Sequence, residues 1–201
     1  MPNWCNNNIT VRGEKEDIDE FEKFLEDKGG KEWFDFFLPC PQELNTGESV
    51  GFSAEPDENA KTLVEKYGAS DWYSWSVNNW GCKWNCDAQD WSRDGDEISF
   101  WFDSPWGPPT ELYSFICNET DFDVEAGYHE EGMAFVGRFI DGEDEYYEYS
   151  DIESLDEIPD AIVDDWNLRE MLEERAEWEE DDGFEEELIE DDEENENGKR
   201  D

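Results

Sequence analysis

Positively charged side chains are scarce in this sequence. It has 14 lysines and arginines against 60 aspartates and glutamates, with one histidine, and its formal net charge is −46. Like charge repels nucleic acids and anionic membrane surfaces, so both are excluded as ordinary direct partners. The acidic excess favours a basic partner, metal cations or high solubility, and it is present in residues 1–150 as well as in the remainder.

Long apolar runs are missing as well. No stretch approaches the roughly 20 apolar residues that span a bilayer, and the N-terminus lacks the basic and apolar regions of a signal peptide. We therefore expect a cytoplasmic protein with no membrane partner. The 5 cysteines are odd in number and scattered, which is not a disulfide framework and fits a reducing compartment.

Metal ligands are few. Cys82 and Cys86 are four residues apart, a spacing seen in some zinc sites. The other thiol and imidazole side chains that could complete four ligands are Cys5, Cys40, Cys117 and His129. We expect these thiols to be small buried side chains instead, and we expect no cofactor.

Catalytic motifs are also missing. The sequence has no Walker loop, no dinucleotide-binding glycine motif and no His-Glu-x-x-His. His129, the only histidine, falls on the polar face of a predicted strand, so we expect a surface side chain rather than part of a Ser–His or Cys–His pair. Acidic pairs are so frequent that none is distinguished as an acid/base couple. We predict that the protein is not an enzyme.

Aromatic residues, in contrast, are abundant, and 4 of the 11 tryptophans lie between Asp71 and Asn85. Helical spacing places Trp72 near Trp75 and Trp80 near Trp84, and buried aromatic rings hold small domains together. We expect most of these rings to be core. The alternative is an aromatic pocket, whose rim would be formed by Asp71, Trp72, Trp75, Asn78, Asn79 and Trp80.

Hydrophobic periodicity gives the order of elements in the first half of the chain. Residues 8–12 alternate as a half-buried strand, and residues 16–27 show the spacing of a helix. Residues 34–38 are predicted to be a short strand or a buried loop, and residues 45–56 are irregular. Residues 58–67 are predicted to form a short helix.

The second half begins with a predicted hairpin, residues 83–92 and 97–104, joined through Asp94-Gly95. Pro108-Pro109 then opens a helix with an apolar stripe of Leu112, Phe115 and Ile116. A strand over residues 122–129 and a hairpin over residues 133–140 and 146–149 complete the pattern. The order predicts an α+β fold, a ferredoxin-like split βαβ antiparallel sheet with both helices on one face. It has an insertion after the first helix, and the added hairpin extends one edge of the sheet.

Four blocks of sequence carry a family resemblance: residues 1–7 (Met-Pro-Asn-Trp-Cys-Asn-Asn), 39–44 (Pro-Cys-Pro-Gln-Glu-Leu), 67–81 and 102–109. The sequence resembles the YubB-type ferredoxin-like family over about residues 1–130. The resemblance implies the same fold and an origin in phages or conjugative plasmids. It implies no catalytic residues and no iron–sulfur cluster, and the acidic C-terminal region lies outside it.

The C-terminal region is predicted to be an acidic helix followed by a tail. Ser154 to Glu157 has the form of a capping box, and Pro159 suits a helix start. A modest apolar stripe follows, formed by Ile162, Trp166, Leu168, Met171 and Leu172. We expect a domain over residues 1–150, a helical extension over 151–178 and a disordered tail over 179–201.

The acids of this extension define a candidate surface for a basic partner: Glu170, Glu173, Glu174, Glu177, Glu180, Asp181 and Asp182. We interpret the chain as a non-catalytic accessory protein of a phage or plasmid that binds a basic, nucleic-acid-handling host protein, with DNA mimicry as one form of this function. A small-ligand-binding domain, an uncharacterised enzyme and acidity as an adaptation to salt are the alternatives.

Overall fold

The computed structural model of the chain describes residues 3–45 and 58–178. The chain divides into two compact units, Met1–Glu148 and Tyr149–Asp201. The elements of the first unit, in chain order, are β1 (Trp4–Arg12), α1 (Lys15–Lys28), α2 (Phe34–Phe37), a 3₁₀ turn (Gln42–Leu44), α3 (Glu58–Tyr67), α4 (Trp72–Trp80), β2 (Gln89–Asp94), β3 (Glu97–Pro105), α5 (Thr110–Glu119), β4 (Asp123–Glu130), β5 (Phe135–Ile140) and β6 (Glu143–Glu148).

The strands form an antiparallel sheet in the order β2-β3-β1-β4-β5-β6. The first four positions of this order are those of a ferredoxin-like split βαβ sheet, with β1 between β3 and β4. The hairpin of β5 and β6 lies beyond β4 and extends that side of the sheet. The predicted α+β ferredoxin-like fold, with its insertion after α1 and its added hairpin, is confirmed.

The core of the first unit contains one face of the sheet and the apolar stripes of α1 and α5. Strand periodicity puts alternate residues on this face, and the helical spacing of apolar residues in α1 and α5 turns one side of each helix toward it. The buried residues that the sheet, α1 and α5 contribute to this core include Ile9, Val11, Ile18, Phe21, Leu25, Ile98, Phe100, Phe102, Leu112, Tyr113, Ile116, Val124 and Ala126. Phe115, expected in the stripe of α5, is only half-buried, and Tyr113 takes its place.

Residues 34–37 differ from expectation, because they form the short helix α2 rather than a strand or a loop. Trp33 and Phe34 are fully buried, with ring centres 4.6 Å apart, and Trp33 also packs against Phe100 and Phe102 of β3. A run of apolar residues this short has no clear period, so packing against the sheet decides its conformation.

Residues 83–88 also differ from expectation, because β2 begins only at Gln89. Two backbone–backbone hydrogen bonds and one hydrogen bond to a side chain hold the segment as a loop. Trp33 N donates to Cys86 O, Ala88 N donates to Gly30 O at 2.7 Å, and Asn85 Oδ1 accepts from Phe34 N. Gly30 has φ 78, and a Cβ there would collide with the carbonyl oxygen of Ala88, so the close approach needs glycine. The hairpin turn is Gly95-Asp96, one residue later than predicted.

The second unit begins with a 3₁₀ turn (Glu153–Glu157) and α6 (Asp160–Asp165), and residues 168–178 are helical. The prediction that Ser154 caps a helix is wrong. The backbone N–H of Ser154 donates to the carboxylate of Asp151, and this bond stabilises the start of the 3₁₀ turn. The buried residues of this unit include Leu155, Ile158, Ile162, Val163, Leu168 and Leu172. Trp166 and Met171, both expected in the apolar stripe, are half-buried. The predicted tail over 179–201 and most of residues 45–56 lie outside the described residues.

Candidate functional site

The residues predicted to form a pocket rim lie on or next to α4. Asp71 precedes the helix, and its carboxylate accepts from Ser74 N at 3.0 Å and from Ser74 Oγ at 3.1 Å. These bonds make Asp71 the N-terminal cap of α4, and its side chain is buried. Asn79 Nδ2 donates to Trp75 O at 2.8 Å, one turn earlier in the same helix. Asn78 is exposed.

Two rings of the predicted rim belong to the core. Trp75 and Trp80 are each 4% exposed and meet edge to face, with ring centres 5.3 Å apart. Trp80 also packs against Phe34 at 5.3 Å and donates its indole N–H to Leu38 O at 2.9 Å. Trp72 is half-buried. Of the six predicted rim residues, only Asn78 is therefore exposed.

A groove that the sequence did not indicate lies at the start of β1 and the end of β3. These strand ends are adjacent because Trp4 pairs with Pro105 and Asn6 pairs with Asp103 in the sheet. The loop of residues 83–88 forms its other side. The groove has a volume of about 370 Å³ and is lined by Trp4, Trp84, Asn85, Cys86, Asp87, Gln89, Asp103 and Pro105. We call it the Trp4–Trp84 groove.

The charged groups that line the Trp4–Trp84 groove are two carboxylates, those of Asp87 and Asp103. Asp103 Oδ1 accepts from Asn6 Nδ2 at 2.7 Å, and Asp87 Oδ1 accepts from the backbone N–H of Glu32 at 3.0 Å. No lysine or arginine within residues 3–45 and 58–178 forms an ion pair with either carboxylate. The nearby Lys83 ammonium lies 4.4 Å from the centre of the Trp84 ring.

The two closely spaced thiols are those of Cys86, which lines this groove, and Cys82. Cys82 Sγ and Cys86 Sγ lie 3.3 Å and 3.6 Å from the same acceptor, the carbonyl oxygen of Trp84. Burial is the largest cause that raises the pKa of Cys86 well above its ordinary value, and the neighbouring Cys82 raises it further. Burial is likewise the largest cause that raises the pKa of Cys5, and the charge of Glu130 raises it further. Protonated, buried thiols are poor nucleophiles and poor metal ligands.

His129 is buried in β4, which corrects the prediction of a surface side chain. Burial lowers its pKa, and the charges of Glu131 and Glu130 oppose this effect. The polar face of β4 is therefore not uniformly exposed to solvent, although the alternation of polar and apolar residues alone predicted that it would be. In the described part of the chain, no cluster of three or more His, Cys, Asp or Glu side chains could hold a metal ion.

The acidic surface predicted for a basic partner lies partly on the helix of residues 168–178. Glu170, Glu173, Glu174 and Glu177 are all exposed, whereas Leu168 and Leu172 of the same helix are buried. Their spacing of three and four residues places these four glutamates along one side of the helix. Glu180, Asp181 and Asp182, the other residues predicted for this surface, lie outside the described residues. Among the described helices, none is long and apolar enough to cross a membrane.

Residues 79–199 match the model of a family described as the ferredoxin-like domain in Api92-like proteins. The chain belongs to this family. The crystal structure of the protein api92 from Yersinia pseudotuberculosis is a structural neighbour, with 12% sequence identity and a TM-score of 0.41, covering 75% of this chain and 99% of that one. The comparison with curated proteins gives no match.

Membership of the Api92-like family agrees with the expected ferredoxin-like domain, but it does not support the YubB type specifically. The match also differs in extent from the resemblance over residues 1–130. It begins near the end of α4 and includes the acidic region to residue 199. The C-terminal acids are therefore within the part of the chain that matches the Api92-like family.

In this Api92-like chain, sequence reasoning missed the Trp4–Trp84 groove. Trp4 was not assigned to a strand, because β1 was predicted to start at Asn8 and it starts four residues earlier. With the observed start, Trp4 shares the polar face of β1 with Asn6, Asn8 and Thr10, and the burial pattern alternates accordingly. A tryptophan on an otherwise polar strand face is the signal that could have indicated the groove.

We predict that the purified protein carries no stoichiometric zinc or iron, because Cys82 and Cys86 are buried and the described residues contain no cluster of three or more metal-ligating side chains. Elemental analysis of the untagged protein measures this directly. One equivalent of metal that is lost in the double variant Cys82→Ser, Cys86→Ser would contradict the prediction.

Proposed function

We propose that this Api92-like protein is a non-catalytic accessory protein of a phage or conjugative plasmid, and that it binds a basic host protein through its acidic surface. The observation that carries the proposal is the row of exposed glutamates on the helix of residues 168–178, Glu170, Glu173, Glu174 and Glu177. We call it the glutamate row. A basic protein that handles nucleic acid is the class of partner that such a row fits.

The charge density of the glutamate row is comparable to that of DNA. At about 1.5 Å rise per residue, Glu170 to Glu177 spans about 10 Å. The span holds four glutamates and one arginine, Arg175, and therefore carries one net negative charge per roughly 3.5 Å. B-DNA carries one charge per about 1.7 Å for the duplex and about 3.4 Å for a single strand. A protein cleft built for phosphates would therefore meet a similar linear charge on this helix, which supports DNA mimicry as the mode of binding.

Internal pairing of the basic residues adds support. Arg12 pairs with Glu97 and Glu125, both at 2.9 Å, and Arg93 pairs with Asp19 and Glu22. Because these cations are bound to carboxylates of the chain itself, they form no separate positive surface that would repel a basic partner. Exposed carboxylates steer such a partner toward the protein over a screening length of about 8–10 Å at physiological salt.

The small-ligand hypothesis has less support at α4, where Trp75 and Trp80 are core rings. The enzyme hypothesis has less support because Cys5, Cys86 and His129, the only histidine, are buried, and burial raises the pKa of both thiols. Buried thiols that retain their protons are poor nucleophiles, and a buried imidazole has little access to a substrate. Neither alternative accounts for the glutamate row.

Neutralising the glutamate row tests the proposal. The variant with Glu170, Glu173, Glu174 and Glu177 all changed to Gln is expected to bind its captured basic partner with an association rate at least about tenfold slower, because electrostatic steering is lost. Partners are first captured from bacterial lysate at low salt, and the association rate of the recovered protein is then measured by surface plasmon resonance. Raising the salt to about 0.5 M should weaken binding of the native protein steeply.

A matched control carries the same change in net charge at other exposed acids: Glu16, Glu20, Glu26 and Glu119, each changed to Gln. It should lose much less than the glutamate-row variant. Equal losses in the two variants would assign binding to net charge alone. Recovery of no basic protein at low salt, or binding that salt leaves unchanged, would overturn the proposed function.

A further inference from the structure

We propose that the Trp4–Trp84 groove binds the guanidinium group of an arginine side chain on a basic partner. The inference rests on the proposed function for the basic nature of the partner. It adds a defined site on the first unit, and it is separate from the glutamate row on the second unit.

Exposed aromatic surface is the first argument. Trp4 and Trp84 are 49% and 39% exposed, in contrast to the core rings Trp75 and Trp80. Tryptophan is the aromatic residue that attracts cations most strongly. Lys83, whose ammonium lies 4.4 Å from the centre of the Trp84 ring, shows that this ring already attracts a cation of the chain itself.

The second argument is the pair of fixed carboxylates. Asp87 and Asp103 each have one oxygen held by a donor of the chain, the Glu32 N–H and the Asn6 amide respectively. Within the described residues, the second oxygen of each has no hydrogen-bond donor and no ion-pair partner. These acids are therefore oriented before a ligand arrives and retain acceptor capacity for it. The Asn85 amide is already used, since it contacts Asp35, Phe34 and Cys86.

The third argument is the combination of these groups, which selects the ligand. Guanidinium is planar, stacks on aromatic rings and donates several hydrogen bonds in a fixed geometry, whereas ammonium is compact and strongly hydrated. The groove volume of about 370 Å³ lies in the range of small-ligand sites, roughly 300–1,000 Å³. A nucleobase would also stack on tryptophan, but its phosphate would meet Asp87, Asp103 and a net charge of −46.

Site-resolved NMR with a small probe tests the proposal on the full chain. The probe is the capped tripeptide Gly-Arg-Gly, and the matched probe is capped Gly-Lys-Gly. Titration of the arginine peptide should shift the indole N–H signals of Trp4 and Trp84 and leave that of the fully buried Trp33 unchanged. We expect the arginine peptide to bind at least about fivefold more tightly than the lysine peptide, because only guanidinium can stack and bond in two directions.

Variants locate the binding. Trp84→Ala and Asp103→Asn should each weaken binding of the arginine peptide at least about fivefold, the size expected for one cation–aromatic or charged contact. The controls are Trp178→Ala and Asp96→Asn, which change exposed residues outside the groove and should leave affinity unchanged. Lys83→Gln removes the competing cation and should strengthen binding.

Three outcomes would overturn the groove assignment: equal affinity for the two peptides, tighter binding of a trimethyllysine peptide than of the arginine peptide, or indole shifts that Asp103→Asn leaves unchanged. None of them bears on the glutamate row, because these single-cation probes do not report on capture of a basic protein. Conversely, arginine binding in the groove together with failure to capture a basic protein would refute the proposed function and leave the groove assignment standing.

Discussion

Trp80→Ala is expected to lower the free energy of unfolding by about 3–5 kcal/mol, the usual cost of deleting a buried tryptophan. The ring is 4% exposed and contacts both Trp75 and Phe34. Its indole N–H also bonds Leu38 O, which loses this donor in the variant. Because Leu38 directly follows α2, the substitution releases α4 from α2 as well as opening a cavity. Chemical denaturation followed by circular dichroism measures the change.

The control for Trp80→Ala is Tyr73→Ala on the same helix. Tyr73 is 45% exposed, and its described contacts are with the neighbouring Trp72 and with Lys83. Its removal should cost about 1 kcal/mol or less, as expected for a surface position. If the two variants were equally stable, the ring of Trp80 would not be part of the core, and α4 would again be a candidate binding surface.

Gly137→Ala is expected to lower the free energy of unfolding by about 2–4 kcal/mol, through overpacking and a lost hydrogen bond. A Cβ on Gly137 would collide with the hydroxyl of Tyr128 and with the carbonyl oxygen of Glu145. Tyr128 crosses β5 at this glycine, and its hydroxyl donates to Asp144 Oδ1 of β6 at 2.6 Å. The added methyl group therefore separates β4 from β6 as well as distorting β5. Thermal and chemical denaturation both report the effect.

Two further variants show whether this mechanism is correct. Gly107→Ala adds the same methyl group where no atom lies within 4 Å, and it should be close to neutral. The colliding atoms of Tyr128 are its hydroxyl and the ring carbon Cζ that bears it. Tyr128→Leu removes both, so Gly137→Ala should cost less in the Tyr128→Leu background than in the native protein. A cost that is identical in the two backgrounds would show that the methyl group acts on the Glu145 carbonyl alone.

The fold was largely predictable because its strands and main helices have clear periodicity. Residues 16–27 and 58–67 form helices close to their predicted bounds, and the strands near residues 97–104 and 122–129 are present. The errors lie where tertiary contacts override local pattern. Residues 83–88 have no strand partner because their backbone groups bond Trp33 and Gly30, which are distant in sequence.

The candidate sites were less predictable, for a different reason. Sequence shows which residues are acidic or aromatic, and the exposure of Glu170 and Glu177 follows from helical spacing. The Trp4–Trp84 groove depends instead on the register of β1 against β3, which brings Asn6 beside Asp103, and on a loop that crosses from α4. Pairing between residues about 100 positions apart leaves no local signal.

The outermost strands of the sheet, β2 and β6, have a consequence for self-association. Exposed strand edges invite pairing with another copy of a chain, and this is a common route to aggregation. β6 carries Glu143, Asp144, Glu145 and Glu148, so two such edges would bring their carboxylates against each other. β2 is interrupted by an irregularity between Gln89 and Ser92, where Asp90 has φ 49. At high concentration, the acids of β6 are therefore expected to keep copies of the protein from adding to one another's sheets.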